Sequence, residues 1–252
     1  LKNLYLKLMI IFLLGILTVL GFAPFYLFPV PVITLALLLG FCRKSRTPLQ
    51  AALMGFCFGM GLFSAGVTWI YVSLHDFGAM PMPIAVIALI ILCAYLAIFP
   101  ALSIGILARF RLASPFVWAS IAAALWMLFE WLRGSLFTGF PWLALGYSQA
   151  PFSPLAGFAP ITGVYGISLV VVFSAALLFI WFEKGLRKWR YGLPFMLIWL
   201  SGFCLQSIEW VKPLGEPVTV SLLQGNIAQD MKWREDHLEN TMETYAKLVL
   251  ES

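Results

Sequence analysis

Two side chains able to do acid–base or charge chemistry stand close together in an otherwise greasy stretch. Glu130 and Arg133 are three residues apart, on one face of a helix, at the end of a long apolar run. A carboxylate inside lipid costs several kcal/mol unless a partner or water meets it, and Arg133 is placed to be that partner. Such a pair can fix the end of a membrane span, or it can form part of a polar site; the spacing allows both. The residues that follow, Arg133 to Gln149 (RGSLFTGFPWLALGYSQ), cannot continue as one helix. Gly134, Gly139, Pro141 and Gly146 interrupt it, and Phe140 before Pro141 is pushed towards an extended conformation. Phe140, Trp142 and Tyr147 are side chains that favour the membrane–water boundary. We read the stretch as an interfacial loop that meets lipid or a lipid-linked substrate. A loop that only anchors two spans with aromatics is the competing reading.

Other reactive residue types are sparse. Cys42, Cys57, Cys93 and Cys204 form no CxxC pair and lie in or beside apolar segments, so they read as small core residues. His75 and Asp76 are adjacent, which matches neither a metal-ligand nor a triad spacing. No pattern asks for a metal or another cofactor.

The elements that must position the Glu130 loop are membrane spans. The 252 residues are 62% hydrophobic and 11% charged. A mean hydropathy of +0.95 excludes an ordinary soluble domain. Seven apolar segments are expected, over residues 8–22, 27–41, 49–74, 82–108, 115–132, 155–182 and 193–210. The first resembles a signal peptide but reads as an uncleaved span, because GFA is followed at once by Pro24 and more spans follow. In the third, Ala51, Gly55 and Gly59 recur every four residues, with Gly61 and Ala65 on a neighbouring face, which suits close helix packing or, less simply, a lipid-tail groove.

Basic residues give a sidedness. Lys2 and Lys7, the Arg43–Lys44–Arg46 group, Arg109 and Arg111, and the Lys184–Arg190 group fall on alternate loops, whereas the opposite loops carry only Arg133. This predicts a cytoplasmic N-terminus, with the Glu130 loop and everything after residue 212 outside. The formal net charge of +5 reflects that bias and not nucleic-acid binding.

Composition breaks near residues 211–217. From Pro213 onward acidic residues outnumber basic ones seven to three. We therefore divide the chain into a membrane part, 1–212, and a polar part, 213–252. Val218, Val220 and Leu222 alternate with Thr219 and Ser221, which predicts a half-buried strand ended by Gly225 and Asn226. Residues 234–250 predict an amphipathic helix with Leu238, Met242, Tyr245 and Val249 on its apolar stripe and a Glu243–Lys247 pair. One strand and one helix cannot bury a core alone, so this part is expected to continue beyond Ser252 or to pack on a partner.

Three segments carry a family resemblance: GFCFGMGLFSAGVTWIYVSLHDFGAMP (55–81), LRGSLFTGFPWLALGYSQ (132–149) and VSLLQGNIAQDMKWREDHLENT (220–241). They resemble the apolipoprotein N-acyltransferases of bacterial inner membranes, and the likeness runs in order over nearly the whole chain. The resemblance implies a polytopic helical bundle carrying an external nitrilase-like α-β-β-α sandwich, of which 213–252 would be the first strand and helix. It implies transfer of an acyl chain from a phospholipid to the N-terminal diacylglyceryl-cysteine of a lipoprotein, through a cysteine thioester, with a glutamate base and a lysine at the oxyanion. None of the acids or cysteines here matches that triad, which is expected beyond Ser252, so this chain alone is expected to be inactive. Gly139 and Trp142 match the family's TGFPW loop and Trp233 a tryptophan near its active site. With Glu130, Arg133 and Tyr147 they are the candidate substrate-binding residues. The expected partners are a phospholipid donor, a diacylated lipoprotein acceptor and membrane lipid. A non-catalytic membrane scaffold and a transporter-like protein are the alternatives, the latter disfavoured because Glu130 is the single intramembrane acid.

Overall fold

The computed structural model describes residues 2–110, 113–228, 231–232 and 237–251. The chain divides into two compact units, residues 1–210 and 211–252.

The first unit is a helical bundle: α1 (Lys2–Thr18), α2 (Pro29–Arg43), α3 (Pro48–Gly66), a short α4 (Trp69–Val72), α5 (Met82–Leu107), α6 (Pro115–Arg133), α7 (Ala159–Lys184) and α8 (Trp189–Leu205). Prolines open α2, α3 and α6, where the missing N–H has no helical partner to lose. Thr47 caps α3 by accepting the Gln50 N–H at 3.1 Å. Among the described residues, five helical segments are long and apolar enough to cross a membrane: Leu4–Gly21, Pro48–Gly66, Met82–Phe110, Pro115–Arg133 and Pro154–Lys184. α2 and α8 occupy the second and seventh expected positions but are shorter, at 15 and 17 residues. The third helix stops at Gly66 and not at residue 74; α4 and a π-helical turn, Ser73–Phe77, follow it. There the His75 ring Nδ1 lies 2.8 Å from the Met80 carbonyl.

The small residues of α3 do bring helices together. A Cβ on Gly59 would lie 2.9 Å from the Ala97 backbone and 2.7 Å from the Pro100 ring, and one on Gly55 would meet the Pro100 carbonyl. Position 55 meets 100–104 and position 59 meets 97–100, so α3 and α5 run antiparallel. Gly61 faces the other way, against the α1 backbone at Phe12. Pro100 interrupts the hydrogen-bond ladder of α5, and Gly55 and Gly59 stand opposite it. α3 is thus held between α1 and α5, with Phe58, Met54 and Leu62 buried beside the glycines.

The helix ends separate by charge. Arg43, at the end of α2, lies 3.8 Å from Glu183 at the end of α7 and stacks over the Trp118 ring at the start of α6. Cys42 Sγ reaches the Ile104 carbonyl near the end of α5. Phe116 of α6 packs on Tyr191 of α8, which accepts from Arg190. Arg43 and Arg190 therefore lie at one end of the bundle, with the ends of α5 and α7 and the start of α6. Cys42 and Cys93 are buried as expected, whereas Cys204 faces outward.

In the second unit the expected strand does not form: residues 216–228 have no ladder partner, and Val218, Val220 and Leu222 are exposed. A strand needs a neighbouring edge to satisfy its backbone, and none is present among the described residues. The amphipathic helix is α9 (Leu238–Glu251), with Lys247 paired to Glu251 at 3.8 Å and not to Glu243. The Tyr245 ring covers Gly225.

Gly61→Leu places a side chain where the α1 backbone runs. It is expected to destabilise the bundle by about 3 kcal/mol, at the upper end of overpacking costs. A lowered thermal unfolding midpoint in detergent checks this.

Candidate functional site

At the end opposite the basic cluster, the chain leaves α6 as a broken loop before entering α7. Three consecutive residues there have left-handed backbone: Phe137 (φ 50), Thr138 (φ 72) and Gly139 (φ 78, ψ 148). The Gly139 conformation is one that a side chain would not tolerate, and a Cβ there would strike the Gly134 carbonyl. Leu143 (φ 58) adds a further strained position. A loop of this kind persists only if its surroundings over-determine it.

Glu130 and Arg133 do that. Both are buried, at 5% and 3% exposure. Arg133 Nη1 donates to the Phe140 carbonyl at 2.5 Å and to the Trp142 carbonyl at 2.7 Å, on either side of Pro141. Its guanidinium also lies over the Phe63 ring of α3. Glu130 accepts the Leu145 N–H at 2.8 Å and the Ser168 hydroxyl at 2.9 Å. Ser168, on α7, accepts the Gly146 N–H at 2.8 Å. The sequence suggested that Arg133 would itself be the ion partner of Glu130. The two opposite charges do act on each other through space, but among the described residues no ion pair within 4.0 Å joins them, and each also holds a different part of the loop. Backbone amides and carbonyls that a helix would satisfy internally are satisfied here by two charges. Beneath them lies a cavity of about 20 Å³ lined in part by Ser103, Glu130 and Arg133, with room for one water.

The second half of the loop is tied down on all sides. Gln149 Nε2 donates to the Phe28 carbonyl, Gln206 Nε2 to the Ser153 carbonyl, and Tyr26 packs edge-on to Phe152. Leu143 fills the space over Gly66 at the end of α3. Next to it is an apolar groove of about 610 Å³, lined by Phe22, Tyr26, Trp69, Pro141, Trp142 and Tyr147 among others. Trp69 and Trp142 face each other with ring centroids 5.4 Å apart. Trp142 and Tyr147 remain half exposed. The volume is in the range of small-molecule sites, about 300–1,000 Å³.

The structure thus brings five of the six candidate residues to one end of one unit. Gly139 shapes the loop, Glu130 and Arg133 clamp it, and Trp142 and Tyr147 line the groove. Trp233 lies outside the described residues. Sequence reasoning missed Ser168, Tyr26 and Trp69. A serine within the apolar segment 155–182 was the available signal for the first. Nothing in the sequence paired Trp69 with Trp142 across 73 positions.

Comparison with known proteins decides the family. A family profile described as the apolipoprotein N-acyltransferase N-terminal domain matches residues 14–177. The apolipoprotein N-acyltransferase of Nitrosomonas europaea is 62% identical over 250 residues, which is 99% of this chain and 50% of that protein. This chain belongs to the apolipoprotein N-acyltransferase family. The apolipoprotein N-acyltransferases of Chromobacterium violaceum (41% over 239 residues, 94% of this chain and 46% of that protein) and Ralstonia nicotianae (39% over 242 residues, 95% and 46%) align as well. The chain spans about half the length of these curated relatives. Within the matched N-terminal domain, the TGFPW stretch is the clamped loop just described, and its glycine and tryptophan serve different ends. Gly139 is required by the backbone; Trp142 is presented to the groove.

Arg133→Met leaves the Phe140 and Trp142 carbonyls without their donor. Backbone amide hydrogen exchange across residues 140–147 is expected to quicken by about tenfold or more, the equivalent of at least ~1.4 kcal/mol of local stability. Exchange in α3 should change little. Glu130→Leu should act on Leu145 and Gly146 in the same way, whereas Glu130→Gln, which keeps an acceptor oxygen, should be milder.

Proposed function

We propose that the full-length protein transfers an acyl chain from a phospholipid to the α-amino group of a lipoprotein's N-terminal diacylglyceryl-cysteine, and that the 610 Å³ groove contributes the lipid-facing part of the site. The observation that carries this is the convergence of family membership with an aromatic, apolar groove at the clamped TGFPW loop. Both donor and acceptor carry acyl chains and reach the site within the leaflet, which an apolar groove suits. The chemistry is two acyl transfers. A cysteine thiolate attacks the phospholipid ester to form a thioester and release a lysophospholipid; the lipoprotein amine then attacks the thioester and frees the thiol. The glutamate base, the oxyanion-stabilising lysine and the cysteine belong, in this reading, to a nitrilase-like domain that begins at residue 213. Trp142 and Tyr147 position an acyl chain, Gly139 shapes their loop, Glu130 and Arg133 hold it, and Trp233 stays a substrate-binding candidate on its family motif.

The reading places the bundle in the bacterial inner membrane with seven crossings, the N-terminus cytoplasmic, and the clamped loop and the residues after 212 periplasmic. The positive-inside bias of the loops supports it, and so does the gathering of basic helix ends away from Trp142.

Trp142→Ala in the full-length protein is expected to lower conversion of diacylated to triacylated lipopeptide by about tenfold, the equivalent of ~1.4 kcal/mol of transition-state positioning, at an undiminished protein level. Parallel loss of protein and activity would reduce Trp142 to a packing residue; no conversion by the wild-type protein would rule out the function. Impermeant thiol labelling of single cysteines at 142 and 233 should modify both from the periplasm, and at 46 neither before lysis. Labelling of 142 and 233 from opposite sides would overturn the topology.

A further inference from the structure

The basic end of the bundle carries a second groove, of about 630 Å³, between the start of α3 and the end of α5. Small residues form its floor: a Cβ on Gly105 would lie 2.9 Å from the Ala52 Cβ, so the two helices approach closely there. Leu49 and Leu102 line it and stay exposed. Arg109, on the turn that ends α5, is the charged residue of its lining. Arg109 is itself exposed, and among the described residues no carboxylate pairs with it. The surrounding charge has one sign. Arg43, Lys44 and Arg46 occupy the turn that leads into α3. Between residues 40 and 114 the sole acid is Asp76, which precedes α5 and so lies at the other end of that helix. The nearby Glu183 is already engaged by Arg43.

An apolar channel that ends at an unopposed guanidinium has the complementarity of an acyl chain joined to a phosphate. Guanidinium groups bind phosphate oxygens in bidentate fashion, and a basic protein end draws anionic lipid towards it. We propose that this groove is a binding site for an anionic phospholipid, with one acyl chain between α3 and α5 and the phosphate on Arg109. The site is separate from the groove at Trp142, which borders the opposite end of α3 at Gly66. It does not depend on the acyl-transfer reading, because it concerns a resident lipid and not a consumed one.

The test reads bound lipid. The full-length protein is equilibrated with vesicles holding equal amounts of phosphatidylglycerol and phosphatidylcholine, extracted in mild detergent, and examined by native mass spectrometry. The wild-type protein is expected to retain phosphatidylglycerol in preference to phosphatidylcholine. Arg109→Gln, an exposed change that leaves packing intact, should lower phosphatidylglycerol retention about fivefold, as loss of one lipid-facing cation does. Arg109→Lys should keep most of it, and Arg187→Gln, an exposed cation on the turn after α7, should leave it unchanged. Equal retention of the two lipids, an unaltered Arg109→Gln, or an equal loss in Arg187→Gln would overturn the proposal. So would phosphatidylglycerol that is lost in Trp142→Ala and kept in Arg109→Gln, since that lipid would occupy the other groove.

Discussion

A buried carboxylate and a buried guanidinium hold an unhelical backbone in an apolar protein, and the site described here depends on them. In a bundle this greasy, backbone N–H and C=O groups have little water to turn to, so a loop with left-handed residues and an interior proline is normally excluded. Glu130 and Arg133 lift that restriction by taking over the orphaned groups of residues 140–146, with Ser168 completing the set. Each charge is in turn solvated by the backbone it holds. Charge and loop are mutually necessary: the loop would not keep its shape without the charges, and the charges would not be tolerated there without the loop.

The helices provide the frame for this arrangement through close approach at small residues. α3 lies against α1 through Gly61 and against α5 through Gly55 and Gly59, and its last residue, Gly66, leaves room for Leu143. In a lipid environment such contact is what replaces the hydrophobic effect as the source of helix association. It also sets the distance between Trp69 and Trp142, because the first follows α3 and the second follows α6. Packing in the middle of the bundle thus determines the width of the groove at its end.

The two ends are chemically unlike. One brings Arg43 to Glu183 and to the Trp118 ring; the other presents aromatic rings around an apolar groove, with Glu130 and Arg133 turned inward. This polarity along one axis gives the bundle an apolar groove of different character at each end.

Much of this was legible in the residues themselves. Apolar segment length and composition determined a membrane bundle, because an element in lipid must satisfy its own hydrogen bonds and so must be a long apolar helix. Gly139 and Pro141 determined that residues 133–149 would break from that pattern, and the four-residue spacing of Ala51, Gly55 and Gly59 marked a packing face. The partners of the charges were decided only in three dimensions. Helical spacing put Arg133 beside Glu130, where the opposite charges act on each other, and the folded loop gave each a further set of backbone groups that would otherwise go unsatisfied. The alternating pattern of residues 218–222 showed the converse limit: periodicity can propose a strand, but a strand exists only where a second edge completes its hydrogen bonds, and no residue described here provides that edge.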